Sequence, residues 1–217
     1  MRYQAPNGGR QAALVFAAAL LGTSAPASAS PSFDCAKAES SAEELICADD
    51  ALAQLDQRLT DRFQAALNAI RSMDVGAQAA EDDLRATQRG WIKGRDECWK
   101  ADDLRACVED SYLIRETELV AFWILETPRN TAYWTCSSAA DEIVTMFFDT
   151  ERPALRFEIG DRISTASLVR SASGSRYSGN FGEEIWIKGD EALYRAPDPA
   201  GTEKTCSLRA QEAPTSD

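Results

Sequence analysis

Apolar residues recur at three- and four-residue steps through the first half of the chain, and give way to short, alternating runs in the second. Between Asp50 and Arg71 the residues Leu52, Leu55, Leu59, Phe63, Ala66, Leu67 and Ile70 paint one stripe on a long helix. Ser41 followed by Glu44 has capping-box spacing, which predicts a shorter helix starting there and carrying Cys47. Gly76 interrupts the period; Ala80, Leu84, Gln88 and Trp91 resume it up to Gly94, and a last stripe of Leu104, Val108, Tyr112, Leu119 and Phe122 runs towards Pro128. Three or four helices of this length can pack antiparallel around one core. The acidic runs Glu81-Asp82-Asp83 and Asp102-Asp103 read as solvated helix faces, and Trp91 and Trp99 as packing at a core or its rim.

Beyond Thr127-Pro128-Arg129-Asn130 the period changes. Short β-prone runs follow one another between turn residues: Tyr133 to Cys136, Ile143 to Phe148, Leu155 to Ile159, Ile163 to Val169, Arg176 to Tyr177, Ile185 to Ile187, and Ala192 to Tyr194. Leu155, Phe157 and Ile159 alternate with Arg156 and Glu158, as in a strand with one face buried. So many short strands predict a small antiparallel barrel or sandwich. The fold class is therefore α+β in two domains, a helical one over residues 30–126 and a β domain over residues 127–217.

Residues 1–29 stand apart from both. Arg2 and Arg10 precede an apolar run from Ala12 to Leu21, and Ala27-Ser28-Ala29 has the small residues of a cleavage site. This reads as a signal peptide cut near Ala29/Ser30, which places the mature protein in the periplasm or outside the cell. No later run approaches the ~20 apolar residues of a membrane span. Cys35 follows Phe33-Asp34 rather than small residues, so no lipid anchor is expected.

The charge narrows the partners. The chain carries a net −12; without the leader, 21 bases face 35 acids, of which residues 30–126 hold 21 acids and 11 bases and residues 127–217 hold 14 acids and 10 bases. Nucleic acid is a poor partner for such a surface. A basic protein is a good one, through an attraction that salt would weaken.

Six cysteines behind a signal peptide imply disulfides. Cys136 and Cys206 form the only choice in the β domain. Cys35, Cys47, Cys98 and Cys107 allow three connectivities, of which Cys35 with Cys47 and Cys98 with Cys107 close the shortest loops. Zinc is the competing use of four cysteines, but the gaps are wide for metal-ligand pairs and the chain has no histidine. No metal or cofactor is expected. The missing histidine also excludes a Ser-His-Asp triad and a Cys-His pair.

Two segments carry candidate chemistry. Ser173-Gly174-Ser175-Arg176-Tyr177 and Trp186-Ile187-Lys188-Gly189-Asp190-Glu191-Ala192 set a hydroxyl, a phenol and an ammonium beside chain-reversing glycines. Such donors suit the capture of carboxylates, which only accept hydrogen bonds and accept charge-assisted ones strongly. Taken singly, each of these residues is ordinary turn or strand chemistry.

Two family resemblances join these observations. Phe33-Asp34-Cys35, Glu44-Leu45-Ile46-Cys47, Leu55-Asp56, and Gln88-Arg89-Gly90-Trp91 through Arg95-Asp96-Glu97-Cys98 to Cys107 resemble the LprI-type domain of bacterial envelope proteins, some of them associated with lysozyme inhibition. Tyr133-Trp134-Thr135-Cys136, the Ser171 to Tyr177 and Trp186 to Ala192 segments, and the closing Cys206 resemble the MliC family of inhibitors of c-type lysozyme. The second resemblance implies an eight-stranded antiparallel β-barrel whose loop enters the lysozyme cleft. Ser173 would bond one catalytic carboxylate, Lys188 would pair with the other, Gly174 would belong to the lysozyme-binding loop beside Ser173, and Tyr177 would support that loop or reach the cleft. A retaining or inverting glycosidase needs both carboxyl groups, so occupying them blocks sugar and proton transfer together. The chain departs from the family at Ile187, where Ser or Thr is common, and at Glu183 and Glu184, of which Glu184 stands where it would compete for Lys188. The alternatives are an envelope scaffold without inhibitory activity, or a hydrolase built on a Ser173–Lys188 dyad. The sequence gives no signal for an oligomeric state.

Overall fold

The computed structural model describes Met1, residues 29–137 and residues 142–209. The predicted leader therefore lies, but for its two end residues, outside the described residues. A one-turn helix at Cys35–Lys37 leads into four α-helices: α1 Ser41–Ala48, α2 Asp50–Arg71, α3 Ala77–Asp96 and α4 Leu104–Trp123. Eight strands follow: β1 Asn130–Cys136, β2 Glu142–Phe148, β3 Ala154–Ile159, β4 Arg162–Val169, β5 Ser175–Gly179, β6 Glu184–Lys188, β7 Glu191–Arg195 and β8 Glu203–Leu208. Each pairs antiparallel with the next, and β8 returns to β1, closing a barrel. The barrel is the one of the two predicted β architectures that is found.

Local signals explain most boundaries. The capping box uses Ser40 and Glu43, one position before the predicted pair: Glu43 N–H donates to Ser40 Oγ at 3.1 Å and Ser40 N–H to Glu43 Oε2 at 3.3 Å. Both Ser40 and Ser41 have a Glu three residues on, so the spacing alone could not choose between them. Asp49 caps α2 through its carboxylate, and Arg105, followed by the helix N–H groups, holds that carboxyl below its ordinary range. Gly94 does not end α3, which continues to Asp96.

The bundle core is the predicted stripe, with Leu52, Leu59, Leu67 and Ile70 of α2 packed against Val108, Tyr112 and Leu119 of α4. At its centre Tyr112 donates to Asp56 Oδ1 at 2.8 Å and accepts from Arg95 Nη1 at 2.9 Å. Asp56 Oδ2 also accepts from Ser32 N–H at 2.6 Å, and Gln57 Nε2 donates to Ser30 O at 2.8 Å, so the chain ahead of Cys35 is fastened to α2. Trp91 packs against this core with its N–H on Ser111 O, whereas Trp99 is 62 % exposed, outside it. The disulfides are Cys35–Cys47, Cys98–Cys107 and Cys136–Cys206, the shortest-loop pairing in the bundle.

The helix α4 has a second buried face that the single predicted stripe did not contain. Val120 and Ala121 pack against Phe148 and Ala154, and Leu125 and Met146 flank them. The bundle thus lies on the outer wall of β2, β3 and β4. For this reason β3 is not half-buried as its alternation suggested. Leu155 and Phe157 fill the barrel, while Arg156, only 6 % exposed, reaches the C-terminal end of α4, donating to Phe122 O and, at 3.5 Å, to Ala121 O. Those carbonyls lack intrahelical partners, and a guanidinium there satisfies them and the helix dipole together. Around this seam Arg58 reaches Glu116 at 2.8 Å and Glu151 at 2.7 Å, Arg62 reaches Glu126 at 2.5 Å, Arg152 pairs with Asp110, and Thr117 Oγ1 donates to Arg152 O at 3.0 Å.

Candidate functional site

Of the predicted site residues, Ser173, Gly174 and Lys188 collect at one end of the barrel, where β4 passes to β5 and β6 passes to β7. Residues 170–174 form the first connection. Ser171 Oγ donates to the carbonyls of Ser173 at 3.3 Å and Gly174 at 3.0 Å, which curls the loop on itself. Gly174 then takes a left-handed conformation, φ 66°, pressed on β6: a Cβ there would lie 2.2 Å from Ile187 O and 3.0 Å from Lys188 Cγ. Only glycine fits such a backbone at such a distance. The consequence is that the Ser173 turn lies against the stem of Lys188, although 15 residues separate them in sequence.

Trp186 fixes this contact from the other side. Its indole N–H donates to Ser173 O at 2.7 Å, and the Lys188 ammonium sits 3.5 Å from the ring centroid. Arg176, opposite Trp186 in the β5–β6 register, has its guanidinium 6.0 Å from the same ring. The indole is therefore flanked by two cations, an arrangement its negative faces stabilise. Sequence alone assigns Trp186 no role of its own; the period-2 pattern of β6, which puts Glu184, Trp186 and Lys188 on the outer face, is the signal for its place beside Lys188.

Glu184 does not take Lys188. Its Oε2 lies 2.7 Å from Arg176 Nε, an ion pair too bent to be a hydrogen bond. Glu183, 2 % exposed, is buried at the opposite end of the barrel, where it accepts from Arg162 Nη2 at 2.8 Å and Tyr194 Oη at 2.7 Å. Glu183 holds the Arg162 guanidinium charged, and burial, reinforced by Glu183, pushes the Tyr194 phenol up. Among the described residues no carboxylate stands within ion-pair distance of Lys188, so its ammonium and the exposed Ser173 are available together. The ammonium is exposed to solvent, not the desolvated amine that a Ser–Lys dyad requires.

Tyr177 lies elsewhere than the other three. Its ring is 4 % exposed inside the barrel, in edge contact with Phe147 at 5.6 Å between centroids, and burial raises its phenol pKa. It supports the base of the turn from within and does not stand on the surface of the free protein. No group of three or more Cys, Asp or Glu among the described residues is arranged to hold a metal ion.

Residues 134–202, which contain the whole of this geometry, match the family described as membrane-bound lysozyme-inhibitor of c-type lysozyme, MliC. Residues 35–138 match the family described as lysozyme inhibitor LprI. The protein named Lipoprotein LprI in Mycobacterium tuberculosis, like that of Mycobacterium bovis, is 33 % identical over 162 residues, or 73 % of this chain and 76 % of the relative. The chain belongs to the LprI family. A match of that length is longer than either the bundle or the barrel, so it takes in residues of both. Both matched families are of inhibitors rather than enzymes. No solved structure matches the chain. The LprI relatives are named lipoproteins, which lends no support to the expectation of an unanchored protein. In this LprI chain Cys35 is held by Cys47, and among the described residues no helix is long and apolar enough to cross a membrane.

Proposed function

We propose that this LprI-family protein inhibits a c-type lysozyme by seating the Ser173–Gly174 turn and the Lys188 ammonium in the enzyme's cleft, one against each catalytic carboxyl group. The observation that carries the reading is the close approach of Gly174 to Ile187 O, which joins the two donors into one rigid projection before any partner arrives. A preformed pair loses little entropy on binding, and charge-assisted hydrogen bonds to carboxylates are the strong ones. Tyr177 acts from inside, keeping β5 in place beneath the turn. The acidic bundle, net −10 over residues 30–126, draws in a basic enzyme, while the contact itself is made by donors. The leader-like residues 1–29 and the naming of the relatives as lipoproteins support an exported, envelope location.

Ser173→Ala and Lys188→Ala are each expected to weaken lysozyme binding by about 2 kcal/mol, about thirty-fold in Kd, because each leaves a desolvated carboxyl group short of a partner. Titration calorimetry with hen-type lysozyme, alongside hydrolysis of a cell-wall substrate, measures both. Wild-type affinity in both variants would remove the proposed contact.

A further inference from the structure

The end of the barrel that carries the Ser173 turn is also hollow. A cavity of about 440 Å³ opens there, within the ~300–1,000 Å³ range of small-molecule sites. It arises from a mismatch in strand length. The β1–β8 register stops at Trp134↔Leu208, whereas β1–β2 pairing continues to Asn130↔Phe147, so β1 overruns β8 and the barrel gapes along that seam.

The walls and the rim of this space differ in chemistry. Ala132, Trp134, Phe147, Ile187 and the ring of Tyr177 make an apolar interior. The Tyr177 hydroxyl, at the inner wall, makes no hydrogen bond within the described residues, in contrast to Tyr112 and Tyr194, whose hydroxyls are both engaged. At the rim stand Arg129 and Arg209. Arg129 pairs with Asp149 at 3.2 Å, and Arg209 pairs with Glu142 at 2.6 Å while its guanidinium lies 5.1 Å from the Tyr133 ring centroid; both ion pairs are largely exposed. Exposed pairs of this kind are worth little and exchange readily, so both guanidinium groups can turn to a better acceptor. Planar guanidinium groups match carboxylates two bonds at a time.

We propose that the barrel mouth is a binding site for a small amphiphile with one carboxylate head, its apolar body between Phe147, Tyr177 and Ile187 and its head group at Arg129 and Arg209. The proposal stands apart from the lysozyme reading, since none of its polar contacts uses Ser173 or Lys188. Apolar burial supplies the affinity, at roughly 25 cal/mol per Å² of tail removed from water. The two arginines select the sign of the head.

Decanoate, below its micelle concentration, is the probe, titrated into the full mature chain by calorimetry and by the fluorescence of Trp134 in the wall. Decanol and a decyltrimethylammonium salt serve as neutral and cationic comparisons. One saturable decanoate site is expected, tighter than for decanol by about ten-fold, the scale of one charge-assisted contact. The pair Arg129→Glu and Arg209→Glu should abolish that preference and leave decanol binding unchanged. Ala132→Leu, which fills the cavity, should weaken both ligands. The surface arginine variants keep the test open if Ala132→Leu fails to fold. Absence of saturable binding, binding indifferent to the arginine pair, or equal binding of the cationic amphiphile would each overturn the proposal. Lysozyme inhibition is not a readout in any arm, so failure here leaves the fate of the Ser173–Lys188 contact to its own test.

Discussion

At Gly174 a single missing Cβ decides the shape of the site. Alanine there would meet a backbone carbonyl, not a yielding side chain, and would have to hold a left-handed conformation. Gly174→Ala is expected to cost about 1–3 kcal/mol of stability by thermal melting and to lower inhibition further than Ser173→Ala does, because it displaces the turn from Lys188 as well as disturbing it. Three phenols make a second residue-scale prediction. Tyr112, Tyr177 and Tyr194 are all raised from the ordinary 10.0, in each case chiefly by burial. A raised phenol keeps its proton in the folded state, so its contribution to stability is complete below pH 10.0 and declines above it, as the unfolded chain begins to ionise first. Denaturant midpoints should therefore hold steady up to that pH and fall beyond it, and phenolate absorbance should show these three tyrosines titrating at higher pH than an exposed phenol. Ser173, Gly174 and Lys188 were legible as motif residues. The roles of Glu183 and Arg156 were not, because they depend on which element lies beside them, which no local pattern records.

At the scale of elements, the 3.6-residue period located α2 to its terminal residues, since one face of that helix is apolar and the other polar. The same rule under-read α4, which is apolar on two sides because it serves two cores, and strand alternation over-read the polar face of β3, which α4 covers. Alternation is a guide to burial only where one side of a strand meets water. The shortest β runs, at β5 and β6, were also seen as fragments of the strands they belong to, because Ser, Gly and Glu at their ends carry no β signal yet pair in register. The disulfide between β1 and β8 gives the test at this scale. Cys136 and Cys206 lie opposite each other in the closing register, 70 residues apart, so their bond limits the unfolded chain strongly. Replacing both by serine should cost about 4 kcal/mol by loop-closure entropy. The loss should be larger than for either bundle disulfide, with separations of 12 and 9 residues, as chemical denaturation of the three double variants would show.

For the whole molecule, bundle and barrel share a wall, so neither is free to be removed without cost. A barrel lacking residues 30–126 would expose Phe148 and Ala154 and leave the buried Arg156 without the carbonyls that hold it. Such a fragment is expected to be less stable by several kcal/mol, on the order of two buried large side chains, and to bind an apolar dye. The full chain should melt in one cooperative step by calorimetry; two separate transitions would contradict the shared wall. The two-part organisation was legible from the change of period near Pro128, but the contact between the parts was not, because it is made of residues that each half could assign to its own surface.

The fastening of Ser30 and Ser32 onto α2 has a mechanical consequence. A pull on the chain at Ser30 and Ser32 enters through Asp56 and Gln57 and passes along α2 to Arg58 and Arg62, which grip the α4 side and Glu151. That load path ends on the β2–β4 side of the cylinder. The strand diametrically across from its centre is β7, and the turn with its glycine and the lysine beside it sit at the rim between. A tether at the front of the molecule would thus strain its handle while that rim stayed slack.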